Sequence, residues 1–154
     1  RWEEEARMAE NEGIRTVVAR FGVILGIDGA LPRMVLPYKL WAGGTVGSGR
    51  QWWSWVHIDD VVGIIRLAIE NTDIKGPLNV TAPEPERMKE FGETIGQVMN
   101  RPHWIPVPAF VMRTALGEMS NLLLKGQRVL PEKATEQGYT FRYPRLHLAL
   151  QQLL

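Results

Sequence analysis

One stretch, residues 44–62, constrains this chain more than any other, because it joins a glycine-rich loop, a strand with three tryptophans and an acidic helix start. Glycine permits backbone conformations that other residues rarely adopt, and tryptophan presents a large surface that needs a packing partner. Gly44, Gly47 and Gly49 precede the strand, whereas a dinucleotide-binding loop follows a strand and opens a helix. The loop is therefore expected to form a turn rather than a phosphate cradle.

The strand and the helix after this loop predict a buried junction. Period-two alternation places Trp53, Trp55 and His57 on one face of the strand, and we expect the two indoles in the core. Asp59 and Asp60 then open a helix that runs to about residue 70 and is apolar nearly all round, so it should be well buried. Their carboxylates suit the positive end of the helix dipole and can cap its free amides.

Hydrolytic and metal chemistry are both disfavoured by the spacing of the polar residues. Strand alternation separates Ser54 from His57, and the sequence has no Gly-x-Ser-x-Gly elbow. The three histidines lie far apart and in no metal-ligand spacing, and cysteine is absent. His57, Asp59 and Asp60 are therefore predicted to form a hydrogen-bonded structural junction, and no metal site is expected.

Charge and hydropathy narrow the range of partners. The 18 Lys and Arg nearly balance the 17 Asp and Glu, so there is no electrostatic reason to expect nucleic acid or an anionic membrane as a partner. No apolar run approaches the roughly 20 residues of a membrane span, and the charged start has no signal-peptide core. A cytoplasmic protein is the default expectation. The chain opens inside a helical pattern without a start methionine, and we expect it to begin partway through a longer protein.

The apolar runs predict an α/β fold. Thr16–Leu25 is rich in β-branched residues, which is typical of a strand buried on both faces of a parallel sheet. A short strand is expected at Leu78–Thr81, and the chain behind it is predicted to be mostly helical. Helices are expected near residues 2–9, 31–41, 59–70, 87–99, 109–124, 131–137 and 146–153, with one further strand near Tyr139–Phe141.

Several segments resemble, in order, the extended short-chain dehydrogenase/reductase superfamily. Arg20–Gly26 is similar to its strand ending in Arg-x-x-x-Val-Tyr-Gly, Trp55–Val62 to its Phe-x-His-Val-Asp-Asp-Val-Ala signature, and Gly76–Thr81 to its Tyr-Asn-Val-Gly strand. The resemblance is greatest to the nucleoside-diphosphate-sugar epimerase-like subgroup of NAD-dependent epimerases and dehydratases. Its further motifs are resembled by Gly47–Trp55, Leu78–Pro83, Pro106–Phe110, Gly117–Met119 and Gly126–Pro131.

This resemblance implies the C-terminal part of a Rossmann-like NAD(P)-binding fold with a mostly helical substrate-binding region. Residues 1–82 would supply the last strands and helices, with an inserted substrate loop at 27–52, and residues 83–154 the helical region. The glycine-rich loop and the Tyr-x-x-x-Lys pair of the family are absent from this chain. The parent protein would therefore hold NAD(P) through a missing N-terminal half, and we expect no bound cofactor and little or no catalysis for this chain alone.

The expected cleft has a substrate side and a cofactor side. Arg50 is the strongest single candidate to bind a phosphate or carboxylate, because guanidinium geometry suits such groups; the alternative is a surface arginine on a loop. The residues predicted on the substrate side are Arg50, Gln51, Trp52 and His57. The residues predicted near the cofactor are Arg20, Gly22 and Val23.

Position 53 departs from the family pattern. Sugar-nucleotide members carry Gln-x-Arg-Asp-Phe there, and that arginine contacts the nucleotide diphosphate, whereas this chain has Trp53. Loss of a bidentate phosphate donor weakens the prediction of a sugar-nucleotide substrate. We hypothesise that Arg50 supplies the charge instead.

Two functions remain open from sequence. The parent is either an NAD(P)-dependent epimerase or reductase working through hydride exchange, or a regulatory or interaction protein that kept the fold and lost the chemistry. The residues upstream of Arg1 would discriminate between the two. A half-sheet without its partner also exposes a strand edge, which predicts dimerisation or strand exchange between chains. The substrate and the choice of NAD or NADP stay undetermined.

Overall fold

The computed structural model describes residues 2–106 and 126–154, so the helix predicted at 109–124 lies outside the described residues. Helices and strands alternate in the front of the chain, and helices dominate behind, which confirms the predicted α/β class. In chain order the elements are α1 (Trp2–Asn11), β1 (Val17–Phe21), β2 (Val23–Leu25), α2 (Ala30–Lys39), β3 (Trp52–Trp53), β4 (Trp55–His57), α3 (Ile58–Glu70), β5 (Gly76–Val80), β6 (Glu86–Arg87), α4 (Met88–Met99), α5 (Glu132–Glu136) and α6 (Leu146–Leu153).

Within the described residues, two of the three strand pairs are parallel, as predicted for the front of the chain. β1 pairs with β5 in parallel, and β2 pairs with β4 in parallel with Leu25 opposite His57. β3 and β6 form a short antiparallel pair in which Trp52 lies opposite Arg87. Since α3 follows β4 directly, the side chains at this strand end and helix start are held close together.

The apolar run at 16–25 forms two strands rather than the single strand predicted. The chain changes neighbours at Gly22, whose N–H donates to Val80 O at 3.1 Å, while Val23 N donates to Ser54 O at 2.8 Å. A Cβ at position 22 would lie 2.7 Å from Ser54 O, so only glycine allows this approach. β1 is also less buried than predicted, because its last residue, Phe21, is 51% exposed.

The first core cluster contains the two indoles that alternation assigned to it. Trp53 packs on Phe91 of α4 with ring centroids 5.8 Å apart, and Trp55 is fully buried with its Nε1 donating to Glu84 O at 3.0 Å. Leu146 and Leu150 of α6 close the cluster from the C-terminal side. The prediction that Trp53 and Trp55 are core residues is confirmed.

The second core cluster lies on the other face of β4 and contacts one side of α3. Val56, Ile64 and Leu78 are fully buried in it. The opposite side of α3 is open, since Val62 is 62% and Ile69 is 68% exposed. The expectation of a helix buried nearly all round is therefore wrong, because the described strands cover only one side of it.

The C-terminal segment confirms two predicted helices and corrects one predicted strand. α5 and α6 lie where the periodicity placed them. Tyr139–Phe141 is not a strand: its aromatic rings pack edge to face at 5.0 Å, and no other strand pairs with it in the part of the chain that the structure describes. Across residues 2–106 and 126–154, no helix has the length and apolar character needed to cross a membrane.

Candidate functional site

A segment from Gly126 to Leu130 lies across the ends of several strands and closes one side of the site. Ser54, between β3 and β4, fixes it: Ser54 Oγ donates to Gln127 O at 2.7 Å and accepts from Val129 N at 2.9 Å. The Ser54 hydroxyl therefore bonds a backbone carbonyl and a backbone N–H of this segment, as a neighbouring strand would. Sequence alternation placed Ser54 away from His57, and the hydroxyl has this structural task instead.

Side chains of β5 and of the residue after it hold the same segment. Asn79 Nδ2 donates to Leu130 O at 3.1 Å, and Thr81 Oγ1 donates to Val129 O at 3.3 Å. A Cβ on Gly126 would lie 1.7 Å from Trp52 O, so the backbone of the segment rests directly on β3. Only glycine permits that contact without a backbone shift.

These contacts enclose a groove of about 460 Å³ at the carboxyl ends of β1 and β5. Among its lining residues are Arg20, Gly22, Asn79, Thr81 and Arg128. In open α/β sheets, ligands bind at the carboxyl ends of parallel strands. The groove is therefore the candidate binding site of the described part of the chain.

The three residues predicted near the cofactor do not all face this groove. Arg20 and Gly22 line it, whereas the side chain of Val23 packs against the first core cluster. The Arg20 guanidinium also binds Glu3 of α1. Its Nε donates to Glu3 Oε1 at 2.7 Å, and its Nη2 donates to Glu3 Oε2 at 2.6 Å. The hydrogen bonds and charge of Glu3 raise the pKa of Arg20 above its ordinary value, so much of its positive charge is already compensated.

The predicted substrate loop is held by its own polar side chains. Gln51 Nε2 donates to Val46 O at 3.0 Å, and its Oε1 accepts from Ser48 Oγ at 3.1 Å. The backbone N–H of Arg50 donates to Ser48 Oγ at 3.2 Å, while its side chain is exposed. Gln51 therefore shapes the loop, and Arg50 is left facing solvent.

The guanidiniums of two arginines lie over the ring of Trp52, and the sequence analysis predicted neither contact. Arg87 Cζ lies 3.7 Å and Arg128 Cζ 5.2 Å from the centroid of the Trp52 ring, within cation–π range. Arg128 belongs to Gly126–Pro131, a segment that resembles a family motif, and that resemblance could have marked it as a site residue. Arg87 had no signal, because its proximity to Trp52 depends on the pairing of β3 with β6.

His57 lies inside the chain and caps α3. It is 1% exposed, and its Nδ1 accepts from Asp59 N at 3.1 Å. Because Nδ1 accepts, the ring proton lies on Nε2, which is 2.9 Å from Gln152 Oε1 of α6. Both ring nitrogens are thus engaged within the chain, where His57 caps α3, and the substrate contact predicted for it stays a prediction.

The two aspartates at the start of α3 differ in environment. The Asp59 side chain is 43% exposed and lies 3.9 Å from His57 Nδ1. Asp60 is fully buried, and its carboxylate accepts from Tyr139 Oη at 2.9 Å, Arg142 N at 2.8 Å and Tyr143 N at 3.0 Å. Burial, with the hydrogen bond and charge of Asp60, raises the pKa of Tyr139 above its ordinary value. Asp60 thus joins α3 to the C-terminal segment.

A second histidine anchors the glycine-rich loop and was not predicted. His103 lies between two hydroxyls, with Nδ1 2.8 Å from Tyr38 Oη and Nε2 2.8 Å from Thr45 Oγ1. Burial lowers the pKa of His103 and raises that of Tyr38 to about 12. Trp104 N also donates to Gly43 O at 3.0 Å, so the loop that leads to Arg50 is fixed at its start.

Metal-ligating side chains do not cluster in residues 2–106 and 126–154, where no group of three or more His, Asp or Glu could hold an ion. The polar groups of the site are instead of two kinds. Side-chain hydroxyls and amides hydrogen-bond to backbone atoms, and arginines lie at the groove and at Trp52. Such a site can bind and orient a ligand.

Comparisons with known proteins agree with this architecture. A domain of unknown function, DUF1731, matches residues 107–153. The epimerase family protein YfhF of Bacillus subtilis is 59% identical over 153 residues, which are 99% of this chain and 50% of that protein. The chain thus spans about half the length of the curated relatives it matches.

Solved structures give the same correspondence. The human epimerase family protein SDR39U1 with NADPH superposes with a TM-score of 0.86 and 39% identity, over 90% of this chain and 48% of that one. The nucleoside-diphosphate sugar epimerase of Corynebacterium glutamicum has a TM-score of 0.75 and 30% identity, over 99% of this chain and 29% of that one.

Proposed function

Since this chain belongs to the epimerase family as the C-terminal portion of such a protein, we propose that it forms the substrate-side half of an NAD(P)-dependent epimerase or oxidoreductase. The observation that supports this most is the groove at the carboxyl ends of β1 and β5, closed by Gly126–Leu130. A ligand there would lie between the strand ends and a wall held by Ser54, Asn79 and Thr81. The cytoplasmic location predicted from sequence remains part of this proposal.

The residues of the groove fit one end of a nicotinamide nucleotide rather than the whole of it. Gly22 lets the backbone after β1 approach Ser54 O at the groove, and Arg128 offers N–H donors there, while Nε and Nη2 of Arg20 are held by Glu3. The chain has no glycine-rich strand-to-helix loop for a pyrophosphate. The nicotinamide, when bound, would supply hydride exchange. This half would orient the substrate against it, while the other half of the parent protein held the remainder of the cofactor.

The substrate-side residues in this proposal are those whose side chains are exposed or line the groove. Arg50 and Arg128 meet that condition, Trp52 is half-buried beneath the guanidinium of Arg128, and Gln51 supports the loop through its bond to Val46 O. His57 and Asp60 are buried and do not line the groove. They fix α3 and the C-terminal segment on which the groove is built. The substrate is a small molecule, and a sugar nucleotide is one candidate.

A titration tests the division of labour between the halves. Nicotinamide fluorescence would be followed as NADPH is added to this chain and, separately, to the longer parent protein. We expect saturable binding for the parent and none at micromolar NADPH for the chain alone. Saturable micromolar binding to the chain alone would overturn the proposal. A parent that binds NADPH but turns over no carbonyl or sugar-nucleotide substrate would favour the regulatory function.

A further inference from the structure

Large apolar side chains are exposed together where α2 ends and where the chain returns after α4. Leu36 lies on α2, and Leu40 follows it by four residues on the same helical face. Trp41 comes next in the chain, and the backbone of Trp104 and Ile105 returns beside it. All five side chains are between 41% and 69% exposed. We call these five residues the indole patch.

Hydrogen bonds hold the two tryptophans of the indole patch together at the surface. Trp104 Nε1 donates to Trp41 O at 3.0 Å, and the N–H groups of Trp104 and Ile105 donate to Gly43 O at 3.0 and 3.1 Å. Trp41 has a φ of 61°, in the left-handed region that favours glycine. The fold thus keeps a bulky side chain exposed in a backbone conformation that costs energy. Contiguous exposed apolar patches typically mark interaction sites.

The rim of the indole patch is basic. Arg101 Cζ lies 4.3 Å from the centroid of the Trp41 ring. Arg33 is exposed three residues before Leu36 on the same face of α2, and Lys39 is exposed at the end of that helix. Across residues 2–106 and 126–154, none of these three cations forms an ion pair with a carboxylate. The rim therefore favours an acidic partner.

A shallow cavity of about 620 Å³ adjoins the indole patch at Arg101. Glu93, Asn100 and His103 also line it, and the Glu93 carboxylate lies 3.7 Å from Lys89 Nζ. The surface beside the indoles is therefore concave and polar, which suits the side chains of a partner protein.

Charge and shape select one occupant of the indole patch from three. In a two-fold dimer the same patch would face itself, so the basic rims of two copies would repel each other. A flat anionic bilayer would leave the cavity unfilled and would bring like charge towards Glu93. A peptide segment with both acidic and apolar side chains can pair with the rim and cover the indoles.

We infer that the indole patch and its basic rim form a docking site for an acidic peptide segment of another protein. Apolar side chains of that segment would pack on Leu40, Trp41 and Trp104, and its carboxylates would pair with Arg101 and Lys39. Tryptophan and arginine are the residues that most often carry the binding energy of such interfaces. The site goes beyond the proposed function, because none of these residues lines the groove at the ends of β1 and β5.

A displayed library of random short peptides is the probe, selected on the chain and followed by fluorescence anisotropy of the enriched peptides. We expect enriched peptides to combine Asp or Glu with Leu, Phe or Trp. Leu40→Ser and Trp104→Ala should each weaken their binding about tenfold, as for loss of a hot-spot residue. Trp2→Ala is the matched control, because Trp2 is 91% exposed outside the patch, and it should leave the affinity unchanged. Absence of enrichment, enrichment of basic peptides, or equal affinity in all three variants would overturn the inference.

Further measurements separate this site from folding effects and from the other occupants. Leu40→Ser should keep the unfolding temperature of the original, and a marked fall would mean that the chain covers the patch itself. The enriched peptides should bind the longer parent protein equally well, whereas loss of binding there would assign the patch to the missing half. Binding to phosphatidylserine vesicles that Leu40→Ser abolishes would assign it to a membrane. Reduced self-association of Leu40→Ser in light scattering would assign it to a second copy. Each of these last three results, like a fall in unfolding temperature, would overturn the inference and leave the proposed function standing.

Discussion

The hydroxyl of Tyr139 donates to the buried carboxylate of Asp60 at 2.9 Å and so links the C-terminal segment to the start of α3. Two backbone amides, Arg142 N and Tyr143 N, donate to the same carboxylate. Three donors from one segment thus meet at one acidic side chain. Because α3 follows β4 directly, this contact also fixes the strand that carries Trp55.

Asp60→Asn should therefore destabilise the chain strongly. The amide has only one acceptor oxygen, and its NH₂ would face N–H donors, so at least one buried donor would lose its partner at a cost of about 3 kcal/mol. Urea unfolding followed by circular dichroism measures the loss. Asp59→Asn is the control, because that side chain is 43% exposed, and it should change stability by about 0.5 kcal/mol or less. Equal losses in the two variants would contradict the role given to Asp60.

Gly126→Ala should displace the segment that closes the groove. The added methyl would lie 1.7 Å from Trp52 O, a backbone atom that cannot move aside cheaply, and we expect a loss of about 2 kcal/mol. Gly26→Ala is the matched control, since its Cβ would make only ordinary van der Waals contacts, with Ile58 at 3.7 Å and Asp28 O at 3.9 Å. Thermal unfolding of both variants gives the comparison. An unfolding temperature of Gly126→Ala as high as that of Gly26→Ala would count against direct packing on β3.

His103 should make stability depend on pH in the mildly acidic range. Burial and Lys89 lower its pKa below the ordinary value of 6.5, more than Glu93 raises it. Between the lowered pKa and 6.5 the unfolded chain binds more protons than the folded one, so stability falls as the pH falls through that window. His103→Gln should be less stable at pH 8, because it loses contacts to Tyr38 and Thr45, yet show a flatter pH dependence. Urea midpoints from pH 8 to 5 test this; parallel curves for the two proteins would refute it.

The open edge of β1 should promote association of the isolated chain. Among the described residues β1 pairs with β5 alone, and Phe21 at its end is 51% exposed. We predict that light scattering at rising concentration approaches twice the monomer mass. Phe21→Lys should weaken the dimer, because a charge at a strand edge opposes pairing, whereas Ile27→Lys, outside the strands, should not. A chain that stays monomeric at high concentration would contradict strand-edge pairing.

Local periodicity predicted most of the described elements, because helix and strand patterns repeat over a few residues. α4 with its stripe at Met88, Phe91 and Ile95 is an example, and so is α6. The same reasoning failed at Gly22 and at Tyr139–Phe141, where hydrogen bonds to distant residues decide the conformation. Neither the change of strand neighbour nor the three donors on Asp60 leaves a periodic signal.

The candidate site, too, was predicted in part from the sequence and decided in part by the tertiary structure. By itself the sequence determined that the chain is α/β, that Trp53 and Trp55 are buried, and that Arg50, Trp52, His57, Asp59 and Asp60 lie around one strand, because alternation and capping act between neighbours. Only the tertiary structure decided that His57 faces Gln152 and that Arg87 and Arg128 lie over Trp52. Those contacts join residues far apart in sequence, and their partners are chosen by strand pairing and by a glycine that lets two backbones touch.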